Sequence, residues 1–295
     1  MINTICLILL FCAGVIFASA KGNEILDRGN YYYRNGQYNR AIILYKKALE
    51  IGCEGKIAYF NLGNCYYRQN ELGKAASAFE RSIEASPDFA KSRMNLGAVY
   101  ARLGSWGKAI VQYQQAAEQL QNDKIAWLQL GDAFMRIHEP VKALSVYYKV
   151  FDLDMFYVPV YYAAAEAYLK SGDTEAALEV LHVGTQRIDS EIRFWFYMAS
   201  ICSEKKQYSR ALLYIRKGLN LDPENRNGLL LKSDILCKEG HTLLAISALE
   251  KLLDLDTASL ETRLYLAELY FDNGWYDKAL NQFLAAACAG NSAGR

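Results

Sequence analysis

His138, His182 and His241 are the three imidazoles of this 295-residue chain, and they stand too far apart to share a metal at any local ligand spacing. No nucleophile elbow, zinc-hydrolase helix, Walker loop or dinucleotide-binding glycine loop occurs in the sequence. Seven cysteines divide into Cys6 and Cys12 within an apolar leader and Cys53, Cys65, Cys202, Cys237 and Cys288 beyond it, without C-x-x-C spacing. Most of the five take places that carry core residues elsewhere in the chain, so they read as small buried hydrophobes. Cys202 and Cys237 occupy nearly equivalent places in neighbouring segments, where an oxidising compartment could bridge them. Lysine and arginine total 33 against 32 aspartates and glutamates, so the cationic excess that nucleic-acid binding requires is missing. The expectation is a chain with no catalytic residues, no metal and no cofactor.

The elements behind these residues follow a fixed period. Ala41, Ala75, Ala109, Ala143, Ala177, Ala211, Ala245 and Ala279 are each 34 residues apart. Four residues after each alanine comes a large apolar one: Tyr45, Phe79, Tyr113, Tyr147, Leu181, Ile215, Leu249 or Phe283. That spacing puts the pair on one helical face. Twelve residues before each alanine stands a small residue, Gly29, Gly63, Gly97, Gly131, Ala165, Ala199, Ser233 or Ala267, which suggests small surfaces meeting where two helices approach closely. Gly36, Gly104, Gly172, Gly240 and Gly274 recur at the turn between the two helices, where a left-handed residue closes the first. Pro140 and Pro159 fall at helix starts, and Pro87 and Pro223 where a helix should end.

The pattern resembles the tetratricopeptide repeat family. Its second unit reads Tyr59, Leu62, Gly63, Tyr66, Ala75, Phe79, Pro87, and its fourth Trp127, Leu130, Gly131, Phe134, Ala143, Tyr147. Counted this way, residues 22–293 hold eight repeats starting at 22, 56, 90, 124, 158, 192, 226 and 260, followed by a short tail at 294–295. The resemblance implies an all-α fold, an α-solenoid in which helix-turn-helix pairs stack into a right-handed superhelix. Repeats five to seven depart most, with Gly184 and Gly218 in their second helices and with Cys202 and Leu236 where a tyrosine is usual, so the curvature is expected to change there.

The resemblance also implies a binding face. In relatives, repeat positions 2, 5, 9 and 12 of the first helices line a concave groove for a peptide or partner helix. Among those positions here are Asn30, Tyr33, Phe60, Asn64, Tyr67, Lys91 and Met94, amides alternating with apolar anchors. Tyr162 and Phe196 add aromatic area further along. Asp132 and Glu166 turn the wall acidic toward the C-terminus, which suits a basic partner segment. Some relatives clamp a terminal carboxylate; Asn30, Asn61 and Lys91 match that pattern, whereas Leu26 and Asn95 replace its Lys and Arg.

Residues 1–20 form an apolar leader ending in Ala18-Ser19-Ala20, read as a secretory signal, or alternatively as an uncleaved membrane anchor. The expected location is therefore periplasmic or extracellular. Phe283-Leu284-Ala285-Ala286-Ala287-Cys288 closes the last repeat without a further polar helix, which makes it a candidate homodimer contact. Together these features predict a protein-interaction scaffold of the cell envelope, an accessory subunit with a protein or peptide partner and no nucleic acid. The alternative is a small-molecule or lipid carrier feeding a transporter.

Overall fold

The computed structural model describes residues 20–255 and 259–292, with side chains to residue 288. The leader read at residues 1–19 lies outside them. Sixteen helices and no strand occur among the described residues. First helices of the hairpins are α1 (20–34), α3 (Gly55–Arg68), α5 (Ala90–Arg102), α7 (Lys124–Arg136), α9 (Val158–Lys170), α11 (Arg193–Glu204), α13 (Arg226–Glu239) and α15 (Leu260–Asp272). Second helices are α2 (Tyr38–Ile51), α4 (Leu72–Ala85), α6 (Trp106–Gln119), α8 (Pro140–Leu153), α10 (Thr174–Arg187), α12 (Tyr208–Leu221), α14 (Thr242–Leu255) and α16 (Tyr276–Ser292). They group into two compact units, one ending at Ala163 and the other beginning at Ala164.

Within each unit a helix packs on its neighbours in sequence. In the first, α3, α5 and α7 each pair with the helix before and the helix after. In the second, the same chain of contacts runs from α10 to α16. The repeating alanines are all at most 2% exposed. Alanine serves there because it brings two backbones together at no rotamer cost.

The glycine of each of the first four repeats has a different partner from the one its size suggests. A Cβ on Gly63 would lie 2.6 Å from Phe79 Cε1, and one on Gly97 would lie 2.7 Å from Tyr113 Cε1. Gly29 with Tyr45 and Gly131 with Tyr147 repeat the arrangement. Small does not face small here: the missing side chain makes room for the ring of the same repeat. Those rings are at most 6% exposed, and burying each contributes about 1.5–3 kcal/mol.

One backbone conformation closes every first helix. Gly36, Gly104, Gly172, Gly240 and Gly274 have φ between 71° and 88°, and Asn70, His138 and Lys206 hold φ of 62°, 60° and 59° at the same repeat position. The imidazole of His138 thus belongs to a turn residue. Second helices begin directly after this turn, with Pro140 in the first turn of α8, where its lack of an N–H costs nothing. Asp123, Asp173, Asn225 and Ser259 cap their helices through side-chain oxygens that accept backbone N–H groups.

Candidate peptide-binding face

In the first unit the amides predicted to meet a ligand also join neighbouring repeats. Asn30 Oδ1 accepts from the Tyr45 hydroxyl and from Asn61 Nδ2, both at 2.9 Å. One repeat further on, Asn95 Nδ2 donates to Asn64 Oδ1 at 2.7 Å. The two asparagine–asparagine bonds span successive first helices, so these residues fix the spacing of the face. Asp132 does for Tyr147 what Asn30 does for Tyr45, accepting its hydroxyl at 2.7 Å while remaining exposed. In the third repeat the corresponding residue is Ala98, and the Tyr113 hydroxyl finds no acceptor there.

The smallness of Ala98 opens a cleft of about 230 Å³, lined by Tyr33, Asn64, Tyr67, Arg68, Asn95 and Ala98. Four of the predicted residues meet in it. Arg68 lies beside Tyr33, which further favours its charged form. The Arg102 guanidinium lies 4.7 Å from the centre of the Tyr67 ring and donates to Asn70 Oδ1 at 2.7 Å. Sequence reasoning missed these cations, although Arg34, Arg68, Arg102 and Arg136 recur at one repeat position with the same 34-residue spacing that disclosed the alanines.

Other predicted residues stand apart from this cleft. Lys91 is exposed on α5, and Met94 is half-buried beside it. Phe60 is half-buried between Phe79 and Phe89, with ring centres 5.9 and 5.3 Å away, so it packs within its own repeat. Tyr162 is half-buried on α9.

In the second unit Glu166 is exposed, and Phe196 does not join it. Phe196 was expected on the open face, but it is buried. Its ring fills the space over Gly218 and Gly228, where a Cβ on either glycine would come within 2.6 Å. The ring near Glu166 is instead that of Tyr197, whose hydroxyl pKa is raised first by burial and then by the charges of Glu166 and Glu204. Cys202 and Cys237 are both free thiols, and Cys237 is hydrogen-bonded with Tyr265. Among the described residues no group of three or more His, Cys, Asp or Glu is placed to hold a metal. No described helix is long and apolar enough to cross a membrane.

Paired helices of this period, with a glycine under a ring in each of the first four, define a helical-hairpin repeat protein. The family models for the tetratricopeptide repeat match residues 26–88, 69–124 and 158–182, and that for anaphase-promoting complex, cyclosome, subunit 3 matches residues 204–286. The chain is a tetratricopeptide repeat protein. No curated protein sequence matches it. Among solved structures it is similar to the C-terminal part of a TPR protein from Cytophaga hutchinsonii, at 16% identity and TM-score 0.65, over 80% of this chain and 97% of that one. A TPR protein from Parabacteroides merdae is 15% identical with TM-score 0.58, over 85% and 98% of the two chains. The MamA protein is 19% identical with TM-score 0.54, over 58% and 94%. At such identities the likeness is one of fold. Repeats of this family generally form non-catalytic scaffolds on which other proteins dock.

Proposed function

We propose that the chain is a non-catalytic scaffold of the cell envelope that holds an extended peptide segment of a partner along the first helices of residues 20–163. The observation that carries this reading is the cleft in which Tyr33, Asn64, Tyr67 and Asn95 surround one opening with Arg68 at its rim. Rings supply contact area at small entropic cost, while the amides and the guanidinium answer backbone carbonyls and acidic side chains. An extended chain suits it because a cleft of about 230 Å³ takes single side chains rather than a helix. Screening the full chain against an immobilised peptide library tests the idea. Tyr67→Ala and Arg68→Ala should each weaken the selected peptides with unchanged helicity, and equal retention by both variants would reject it.

The envelope location rests on residues 1–20, whose apolar run and Ala-x-Ala ending suit export. Expression of the full chain should yield a product beginning at Lys21 outside the cytoplasm; an intact Met1 in the cytosolic fraction would refute it.

The same reading includes pairing of two copies through α16. Its support is Phe283, 38% exposed where the seven equivalent residues are at most 6% exposed, together with the exposed Tyr276, Leu280 and Leu284 on the same helix. At repeat positions 3 and 7, where the other first helices mostly carry apolar or small residues, α1 has the exposed Glu24 and Arg28. Such a polar surface disfavours head-to-tail stacking and leaves like against like.

A further inference from the structure

The seventh repeat differs from the second at three positions that face one crevice. Where α3 carries Tyr59, Leu62 and Tyr66, α13 carries Leu229, Lys232 and Leu236. The middle position is a core position in most repeats: Leu62, Leu96, Leu130, Met198 and Leu266 are at most 4% exposed. Loss of two rings leaves a cleft of about 540 Å³ bounded by α12, α13 and α14, against about 430 Å³ for the corresponding crevice of α2, α3 and α4.

The chemistry of the two crevices differs more than their size. In the earlier one Glu50 lines the wall, Arg81 lies 5.7 Å from the centre of the Tyr59 ring, and Lys74 lies 5.6 Å from that of Tyr66. In the later one the floor is aliphatic and no carboxylate lines it, while Arg216, Lys232 and Lys251 stand around it. Lys251 donates to the Pro223 carbonyl at 2.9 Å. Arg216 and Lys232 have no acidic partner among the described residues. Lys232 stands where other repeats bury an apolar residue, yet is itself only half-buried, so its stem lies along the apolar wall and its charge faces the open cleft.

We propose that this cleft binds a single-chain anionic amphiphile, its tail on the leucine floor and its carboxylate or phosphate head between Arg216 and Lys232. A peptide fits poorly, because apart from Asn220 and Ser247 the lining side chains offer no acceptor for backbone N–H groups, whereas an alkyl tail has none to satisfy. The site lies on residues 212–251, shares no residue with the peptide face, and does not depend on the scaffold reading.

Isothermal titration calorimetry of the full chain with dodecanoate, dodecyl phosphate and dodecanol, each below its micelle concentration, tests the site. The two anions should bind, the tighter one naming the head, and dodecanol should bind on the order of tenfold more weakly. Lys232→Leu restores the residue usual at that position, so it should melt no lower than the parent and lose on the order of tenfold in dodecanoate affinity. Leu229→Tyr with Leu236→Tyr should fill the cleft and abolish binding. Unchanged affinity in either variant, equal binding of dodecanol, or displacement of dodecanoate by an acidic leucine-containing peptide at lower concentration would overturn the proposal.

Discussion

The ring of Phe79 occupies the space that a side chain on Gly63 would need, with 2.6 Å between Phe79 Cε1 and the place of the missing Cβ. The same exchange runs through the chain: glycine accompanies a ring in repeats one to four, and alanine or serine accompanies Leu181, Ile215 and Leu249 in repeats five to seven. Volume is balanced across the pairs of the first seven repeats, whereas the eighth sets Ala267 with Phe283, which is 38% exposed.

Gly63→Ala is accordingly expected to destabilise by about 1–2 kcal/mol, overpacking outweighing the gain in helix propensity. Adding Phe79→Leu should recover part of that loss, since the pair then matches Ala165 with Leu181. Urea denaturation of the two single variants and the double variant measures the coupling, and strict additivity would contradict the pairing.

Asp132 combines an exposed charge with a structural bond to Tyr147. Asp132→Asn keeps an acceptor, as Asn30 already serves Tyr45, whereas Asp132→Ala should cost about 0.5–1.5 kcal/mol. A basic peptide should bind the Asn variant more weakly at unchanged melting temperature. Equal affinity of parent and Asn variant would remove the charge from the recognition mechanism.

Lys206 holds a φ of 59° at a turn position that five other repeats fill with glycine. Lys206→Gly should stabilise the chain by roughly 0.5–1 kcal/mol, relief of strain exceeding the added entropy of the unfolded state. A lower melting midpoint in this variant would count against the strain argument.

Burial pushes the Tyr113 hydroxyl up to about 12 and raises Tyr45, Tyr265 and Tyr270 as well. In the unfolded chain these groups ionise near ~10, so above that pH the folded state retains protons that the unfolded state has lost. The contribution of Tyr113 is complete below pH ~10 and disappears as the pH rises through about 12, and those of the other three persist further. Helical circular dichroism and tyrosinate absorbance followed together should show late-titrating tyrosines ionising as the helices melt. Complete ionisation with full helicity near pH ~10 would contradict this.

Leu280 and Leu284 are 56% and 55% exposed on α16. If two copies pair there, Leu280→Glu with Leu284→Glu should convert a dimer to a monomer in multi-angle light scattering. A parent that stays monomeric at high concentration refutes the pairing directly.

The repeat was legible because it is local: alanine, ring and small residue fall within one period and share faces by helical geometry alone. The left-handed turn was legible at five glycines. It was hidden at Asn70, His138 and Lys206, whose types do not demand that conformation. Phe196 misled for a non-local reason. Position 5 takes its environment from Gly218 and Gly228 on two other helices, and a pattern read along one helix cannot see the hole they leave. The arginine column at Arg34, Arg68, Arg102 and Arg136 was visible as a period, but the family's usual contact positions drew attention away from it. The loss of the ring at Leu236 could be seen in the sequence; the space it leaves depends on α12 and α14 as well.

Because Gly63 and Phe79 lie within one 34-residue stretch, each copy of the motif carries both halves of its own fit. Duplicating or deleting a whole copy during evolution therefore creates neither a hole nor a clash at this contact. A crossover inside a copy can join the glycine of an early repeat to the leucine of a late one and leave a void. Gene rearrangements that keep the reading register of whole motifs are the ones this interior tolerates.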